Sequence, residues 1–201
     1  MRSIAILAGG RATRFDGRDK SALVVDGNTI LDRQLDELSS LSDDIMIVGE
    51  APEARSLAEA PQARRRIADI VPGCGPLGGL HAALTAALGD AVFVVACDMP
   101  YVTAAFAEYL FSLAGDAQIV VPRTERGYHP LCAVYAQACL GPVAARLAHK
   151  QLALRDLVND VPVRVVTDNE IVRFGALSRL LANVNTPAEY ADLEALQGHK
   201  L

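Results

Sequence analysis

Short, nearly uninterrupted apolar runs alternate along this chain with longer segments in which apolar residues recur every three or four positions. The first pattern suits strands buried on both faces and the second suits helices with one apolar stripe. Their alternation predicts βαβ units around a mostly parallel sheet. Strands are expected at residues 3–7, 45–48, 66–71, 91–96, 119–121, 131–135 and 163–166, with 91–96, wholly apolar, as a central strand. Helices are expected at 29–41, where Ile30, Leu31, Leu35, Leu38 and Leu41 share one stripe, and at 53–59, 77–88, 138–149 and 188–196. A further helix starts after the capping residue Thr103, carries Phe106, Leu110 and Leu113, and stops at Gly115. The pattern shows no repeat and no linker. The expected fold class is α/β, a single doubly wound Rossmann-like domain over residues 1–201 with a mostly parallel mixed sheet. Within it a first part, residues 1–122, and a second part, residues 123–201, are expected.

Composition narrows the function classes. With 201 residues, 51% of them hydrophobic and 21% charged, the chain can bury one substantial core and is not a disordered one. Its longest apolar stretches fall well short of the roughly 18–20 residues that span a bilayer. The apolar start is cut off by Gly9-Gly10-Arg11 where a signal peptide would continue, so a cytoplasmic protein is expected. A net charge of −5 with no Trp argues against nucleic acid as a partner, since phosphate contacts need the opposite sign. Cys74, Cys97, Cys132 and Cys139 include no C-x-x-C pair and read as reduced thiols. Only three lysines stand in the chain, and one of them, Lys20, lies in a glycine-rich segment.

That segment follows the first expected strand and runs Leu7-Ala8-Gly9-Gly10-Arg11-Ala12-Thr13-Arg14, with Lys20 six residues on. Open α/β sheets bind ligands at the carboxyl ends of their strands, and paired glycines let backbone N–H groups approach phosphate oxygens. Arg14 and Lys20 are suited to neutralising a triphosphate. The spacing is not that of a P-loop, and the alternative reading is an ordinary basic loop. A second signal, Cys97-Asp98-Met99-Pro100, sets a carboxylate at the end of a buried strand. Magnesium takes one or two carboxylates plus phosphate oxygens, and Asp98 can supply the protein's share. Its competing role is that of an acid near a helix start. Asp69 is at another expected strand end, within reach of a ribose or base.

Gly73-Cys74-Gly75-Pro76-Leu77-Gly78 matches the dinucleotide fingerprint G-x-G-x-x-G, with Asp98 twenty residues beyond. An NAD-binding oxidoreductase is therefore a rival. It is weakened because more than one βα unit precedes the motif and because Pro76 removes a donor from the helix start. His129, before Pro130, is held extended and suited to a second substrate or to a turn. Asn183 and Asn185 alternate like strand residues with side chains on one face, and Thr186-Pro187 opens the last expected helix. No nucleophilic triad is present, so no covalent intermediate is expected.

Taken together, Leu7-Ala8-Gly9-Gly10 with Arg14 and Lys20, Gly75-Pro76-Leu77-Gly78-Gly79, Cys97-Asp98-Met99-Pro100, His129-Pro130-Leu131 and Asn183-Val184-Asn185-Thr186-Pro187 resemble the molybdenum cofactor guanylyltransferases. These are α/β nucleotidyltransferases of the nucleotide-diphospho-sugar transferase type. The resemblance implies transfer of GMP from Mg-GTP to the phosphate of molybdopterin or its molybdenum form, with release of pyrophosphate. It implies a GTP site at Leu7, Ala8, Gly9, Gly10, Lys20, Asp69, Gly75, Pro76, Leu77 and Asp98, with Arg14, Lys20 and Asp98 catalytic and Asp98 holding Mg²⁺. His129 would meet the acceptor, and Asn183 and Asn185 would lie near the metal or the pterin acceptor. Transient contact with a molybdenum insertase and with acceptor molybdoenzymes is implied as well. Val48-Gly49-Glu50 departs from the family, which often has an asparagine-bearing segment there. A cytidylyl-transferring relative, a sugar-1-phosphate nucleotidyltransferase and a non-catalytic nucleotide-binding module remain alternatives.

Overall fold

The computed structural model of the chain describes residues 1–8, 23–49 and 64–184. In chain order these form β1 (Arg2–Leu7), the hairpin β2 (Val24–Val25) and β3 (Asn28–Thr29), α1 (Ile30–Leu38), β4 (Ile45–Val48), β5 (Arg64–Ile67), α2 (Gly75–Ala86), β6 (Ala91–Ala96) and α3 (Ala104–Ser112). There follow β7 (Ile119–Thr124), β8 (Gly127–Tyr128), β9 (Cys132–Ala136), α4 (Leu140–Ala148), β10 (Val163–Val166), α5 (Asp168–Ile171) and α6 (Leu177–Leu180). The main sheet runs β10-β7-β9-β6-β1-β4-β5, with β8 paired to the end of β7. β1 lies between two parallel neighbours, Ile4–Leu7 pairing with Ile45–Val48 and Arg2–Leu7 with Ala91–Ala96. Only β9 and the short β8 run antiparallel to their neighbours in this sheet. The doubly wound, mostly parallel mixed sheet expected from the sequence is the fold.

Alternate residues of β6 reach opposite cores. Phe93 and Val95 pack with α1 and α3, while Val92 and Val94 pack with α2 and α4. All four are fully buried, which accounts for an apolar run with no polar interruption. α1 begins where Thr29 Oγ1 accepts the Asp32 N–H at 3.0 Å, and α3 begins at Thr103, whose hydroxyl accepts from Phe106 N at 3.3 Å.

The amino edge of the sheet is closed by a polar network. Asp44, buried just before β4, accepts hydrogen bonds from the Ser3 hydroxyl, the Leu88 N–H and the Arg65 guanidinium. Ser3 in turn accepts the Gly89 N–H at 2.8 Å. The starts of β1, β4, β5 and β6 are thereby tied to one carboxylate.

Several boundaries differ from expectation. β5 starts earlier and stops at Ile67, so Ile70 and Val71, expected inside a strand, are exposed. The reason is its one sheet neighbour among the described residues: β4 ends at Val48, and the Gly49 N–H closes on Ile67 O at 2.9 Å. α2 starts at Gly75 rather than at 77, and 137–139 form a 3₁₀ turn ahead of α4. The turn expected at 123–128 is a hairpin in which Arg123 pairs with Tyr128. Asn183 is not in a strand. The hairpin of β2 and β3, the 3₁₀ segment Leu154–Asn159, α5 and α6 were not anticipated. Each spans too few residues to register as a period. The helices expected at 53–59 and 188–196 lie outside the described residues.

Burial alone raises the Asp44 pKa, but the hydrogen bonds from Ser3, Leu88 and Arg65 outweigh it and hold the carboxyl below its ordinary value. A depressed carboxylate contributes stability that is present above the unfolded-state pKa and is lost as pH falls through the folded one. Asp44→Asn is expected to cost about 1–3 kcal/mol at neutral pH, as for leaving buried hydrogen-bonding partners unsatisfied. It should also flatten the loss of stability below about pH 4. Urea denaturation of both proteins at pH 7 and pH 3.5 checks this, and equal pH slopes would contradict it.

Candidate active site

Parallel pairing brings the ends of β1, β4, β5 and β6 to one edge. Leu7 O accepts the Cys97 N–H at 3.1 Å and Ala8 N donates to Val48 O at 2.8 Å, so the two residues ahead of Gly9 are held between β4 and β6. Both are buried. Asp69, half-buried, stands two residues past β5. Asp98 stands two residues past β6, and its own carbonyl accepts the Val184 N–H at 2.9 Å, so Asn183 lies beside the Asp98 turn.

α2 aims its first turn at this edge. Gly75 has φ +57, a conformation few side chains adopt, and Gly75 and Pro76 are exposed whereas Leu77 is buried in the core. Leu77 can therefore present only its main chain to a ligand. A Cβ on Gly79 would sit 3.3 Å from Leu7 Cδ1, so this glycine lets the helix approach the end of β1. The helix N-terminus, with its partial positive charge, suits an anion.

The reversed strand β9 returns the chain to the same edge, where Ala96 N donates to Leu131 O at 3.0 Å. His129 precedes this point, with Nε2 2.9 Å from the Thr124 hydroxyl. Burial pushes its imidazole below the ordinary histidine value, Arg126 adds to that, and Asp168 opposes it.

Of the residues nominated from the sequence, Leu7, Ala8, Asp69, Gly75, Pro76, Leu77, Asp98, His129 and Asn183 thus belong to one edge of the sheet. Gly9, Gly10, Arg14, Lys20 and Asn185 lie outside the described residues. A divalent ion shared with phosphates asks for one or two protein carboxylates rather than a full cage, and Asp98 meets that donor requirement. Among the described residues no three His, Cys, Asp or Glu side chains cluster as a self-contained metal site.

The sequence reading missed two contributors. The Asp26-Gly27 turn, with φ of 53° and 83°, makes the hairpin that leads the chain from the glycine-rich segment into α1. The dipeptide Asp-Gly between β-prone residues was the available signal. Gln34, polar on the buried stripe of α1, donates to Ala96 O at 2.8 Å and Met99 O at 2.9 Å. A cavity of about 740 Å³ lies beside the edge between α1, the start of α3 and Phe174–Leu180. Arg33 and Arg179 flank the Tyr101 ring there, and none of the nominated residues lines it.

A doubly wound sheet that gathers a strand-end carboxylate and a helix N-terminus at its carboxyl edge has the arrangement by which α/β proteins hold nucleotides. The chain belongs to the MobA-like NTP transferase domain family, whose model matches residues 4–165. It is 31% identical to the molybdenum cofactor guanylyltransferase of Desulfosudis oleivorans, over 94% of this chain and 93% of that one. It is 29% identical to a probable molybdenum cofactor guanylyltransferase of Clostridium perfringens, with 96% of each covered. Among solved structures it superposes with TM-score 0.81 on molybdopterin-guanine dinucleotide biosynthesis protein A from Archaeoglobus fulgidus, at 24% identity, covering 98% of this chain and 99% of that one. The 2-C-methyl-D-erythritol 4-phosphate cytidylyltransferase of Thermus thermophilus shares the fold at TM-score 0.68 and 18% identity, with 96% and 97% covered. Family membership sets aside the oxidoreductase reading of Gly73–Gly78.

Because the His129 pKa is depressed, the unfolded chain binds more protons between the folded value and about pH 6.5, and stability falls as pH is lowered through that window. His129→Gln is expected to show a shallower drop in melting temperature from pH 7 to pH 5 than wild type. Parallel curves would contradict the burial argument.

Proposed function

We propose that the chain transfers GMP from GTP to the terminal phosphate of molybdopterin or its molybdenum form, releasing pyrophosphate. The observation that carries the reading is the convergence of Leu7–Ala8, Asp69, the start of α2 and Asp98 on one sheet edge, in a chain about 30% identical to guanylyltransferases over nearly its whole length. The acceptor phosphate is already ionised near neutral pH. The chain therefore needs no strong base, and its task is positioning and charge stabilisation. Leu7, Ala8, Gly9 and Gly10 would line the nucleotide with main chain, Asp69 would hold ribose or base, and Gly75, Pro76 and Leu77 would close over it. Lys20 and Arg14 would balance charge on the α-phosphate and the departing pyrophosphate.

Asp98 would hold Mg²⁺, which when bound supplies Lewis-acid stabilisation to phosphate oxygens. In this reading residues 1–122 bind nucleotide and 123–201 bind the acceptor. His129, whose imidazole burial holds below the ordinary histidine value, would contact the acceptor together with Asn183 and Asn185. A guanylylated cofactor must pass to proteins that use it, so transient contacts with a molybdenum insertase and with acceptor molybdoenzymes form part of the proposal, in the cytoplasm. Among the described residues no helix is long and apolar enough to cross a membrane.

Nucleotide choice is tested by thermal shift. A ligand that binds only the folded state stabilises it by RT ln(1 + [L]/Kd), so Mg-GTP should raise the melting temperature more than CTP, ATP or NAD. A larger shift with CTP would move the chain to cytidylyl transfer. Lys20→Ala should lower kcat/KM by ~10²-fold or more, as for one lost electrostatic donor. Asp98→Asn should fold normally and lose GMP transfer by orders of magnitude at ordinary Mg²⁺. Wild-type magnesium dependence in Asp98→Asn would remove it from the metal site.

A further inference from the structure

Gln34 is fully enclosed, 2% exposed, on a stripe of α1 whose other members are Ile30, Leu31, Leu35 and Leu38. A leucine there would bury more apolar surface. The side-chain amide instead reaches across to the turn after β6 and donates both protons, one to Ala96 O at 2.8 Å and one to Met99 O at 2.9 Å. These two carbonyls bracket Cys97 and Asp98. Of the two ends of the amide only the NH₂ can donate to these carbonyl oxygens, and this fixes the orientation of the amide. Its own oxygen, Oε1, is buried with no hydrogen-bond partner among the described residues. An uncompensated buried acceptor is a cost to folding. Gln137 Oε1 is in the same state, so what singles out Gln34 is where its two donors go, to both flanks of the Asp98 turn.

The same turn is held from other sides. Met99 N donates back to Ala96 O at 3.3 Å, Cys97 N is tied to Leu7 O at 3.1 Å, and Asp98 O accepts from Val184 N at 2.9 Å. Gln34 is the side-chain member of this set, and it comes from a helix with no nominated site residue.

We infer that Gln34 is a positioning residue for the metal-binding carboxylate: by clamping both flanks of the Asp98 turn it sets the direction in which that carboxylate meets a nucleotide-bound divalent cation. The inference rests on the assignment of Asp98 to the metal. Groups that orient a metal ligand typically matter 10–100-fold for metal affinity or activity, although they never touch the ion.

The test uses the full chain. Gln34→Met keeps length and volume but removes both donors, and Gln34→Asn keeps the amide but withdraws it by one methylene. Gln137→Met is the control. Gln137 also donates its side-chain amide to a main-chain carbonyl, Leu84 O at 2.7 Å, but at the amino edge of the sheet. Folding is verified by thermal melting. Mn²⁺ binding in the presence of GTP is then measured by electron paramagnetic resonance, and GMP transfer is titrated with Mg²⁺.

Gln34→Met and Gln34→Asn are expected to weaken metal binding to the GTP complex ~10-fold or more. The Mg²⁺ requirement for turnover should rise in parallel, while the KM for GTP at saturating metal stays near wild type. Gln137→Met is expected to lose some melting temperature and none of its metal affinity. Wild-type metal binding in both Gln34 variants, with Asp98→Asn having lost it, overturns the positioning role and leaves the Asp98 assignment standing. Retained metal binding in Asp98→Asn overturns both. Should one Gln34 variant not fold, the other decides.

Discussion

Everything at the candidate site depends on β1 being hydrogen-bonded in parallel on both sides. Parallel neighbours all end at the same edge, so the chain leaves β1, β4, β5 and β6 with four segments side by side. Each last peptide is held by its neighbour rather than left to a loop: Leu7 O by Cys97 N, Ala8 N by Val48 O, Gly49 N by Ile67 O. An edge built this way can hold a small charged ligand in fixed geometry, because Leu7, Ala8, Asp69 and Asp98 stand within two residues of hydrogen-bonded strands.

The two edges of the sheet are treated in opposite ways. At the amino edge Asp44 is consumed by Ser3, Leu88 and Arg65, and the strand starts are locked together. At the carboxyl edge the carboxylates Asp69 and Asp98 stand two residues beyond their strands. The first edge uses buried charge to hold the sheet together. The second sets its carboxylates past the strand ends, on the side where α2 begins. α2 adds a helix N-terminus to the second edge, and the absence of a Cβ on Gly79 is what lets it come so close to Leu7.

The C-terminal part of the chain reaches that edge by reversing direction. β9 runs antiparallel to β6, so the turn that enters it, His129-Pro130-Leu131, lies beside the Asp98 turn. A small apolar cluster of Val25, Ile30, Tyr101 and Val184 then joins the β2–β3 hairpin, the start of α1, the chain after Asp98 and the Asn183 segment. Parts remote in sequence are thereby packed into one unit around the site.

The sequence by itself determined the order and type of the long elements. β1, β4, β6, β10 and most of α1 follow directly from apolar periodicity, because a strand buried on both faces or a helix with one buried face leaves a local record. It also located Asp98 at the end of β6, since a carboxylate after an apolar run marks a strand end. Tertiary structure decided what depends on a neighbour. β5 stops where β4 stops, which is why Ile70 and Val71 are exposed despite their strand-forming character. Asn183 is placed by its neighbour, whose Val184 N–H donates to Asp98 O, and not by strand alternation. The role of Gln34 was invisible for the same reason. A polar residue on an apolar stripe shows in the sequence, but the two carbonyls it serves lie more than sixty residues away and meet it only when α1 packs on the end of β6.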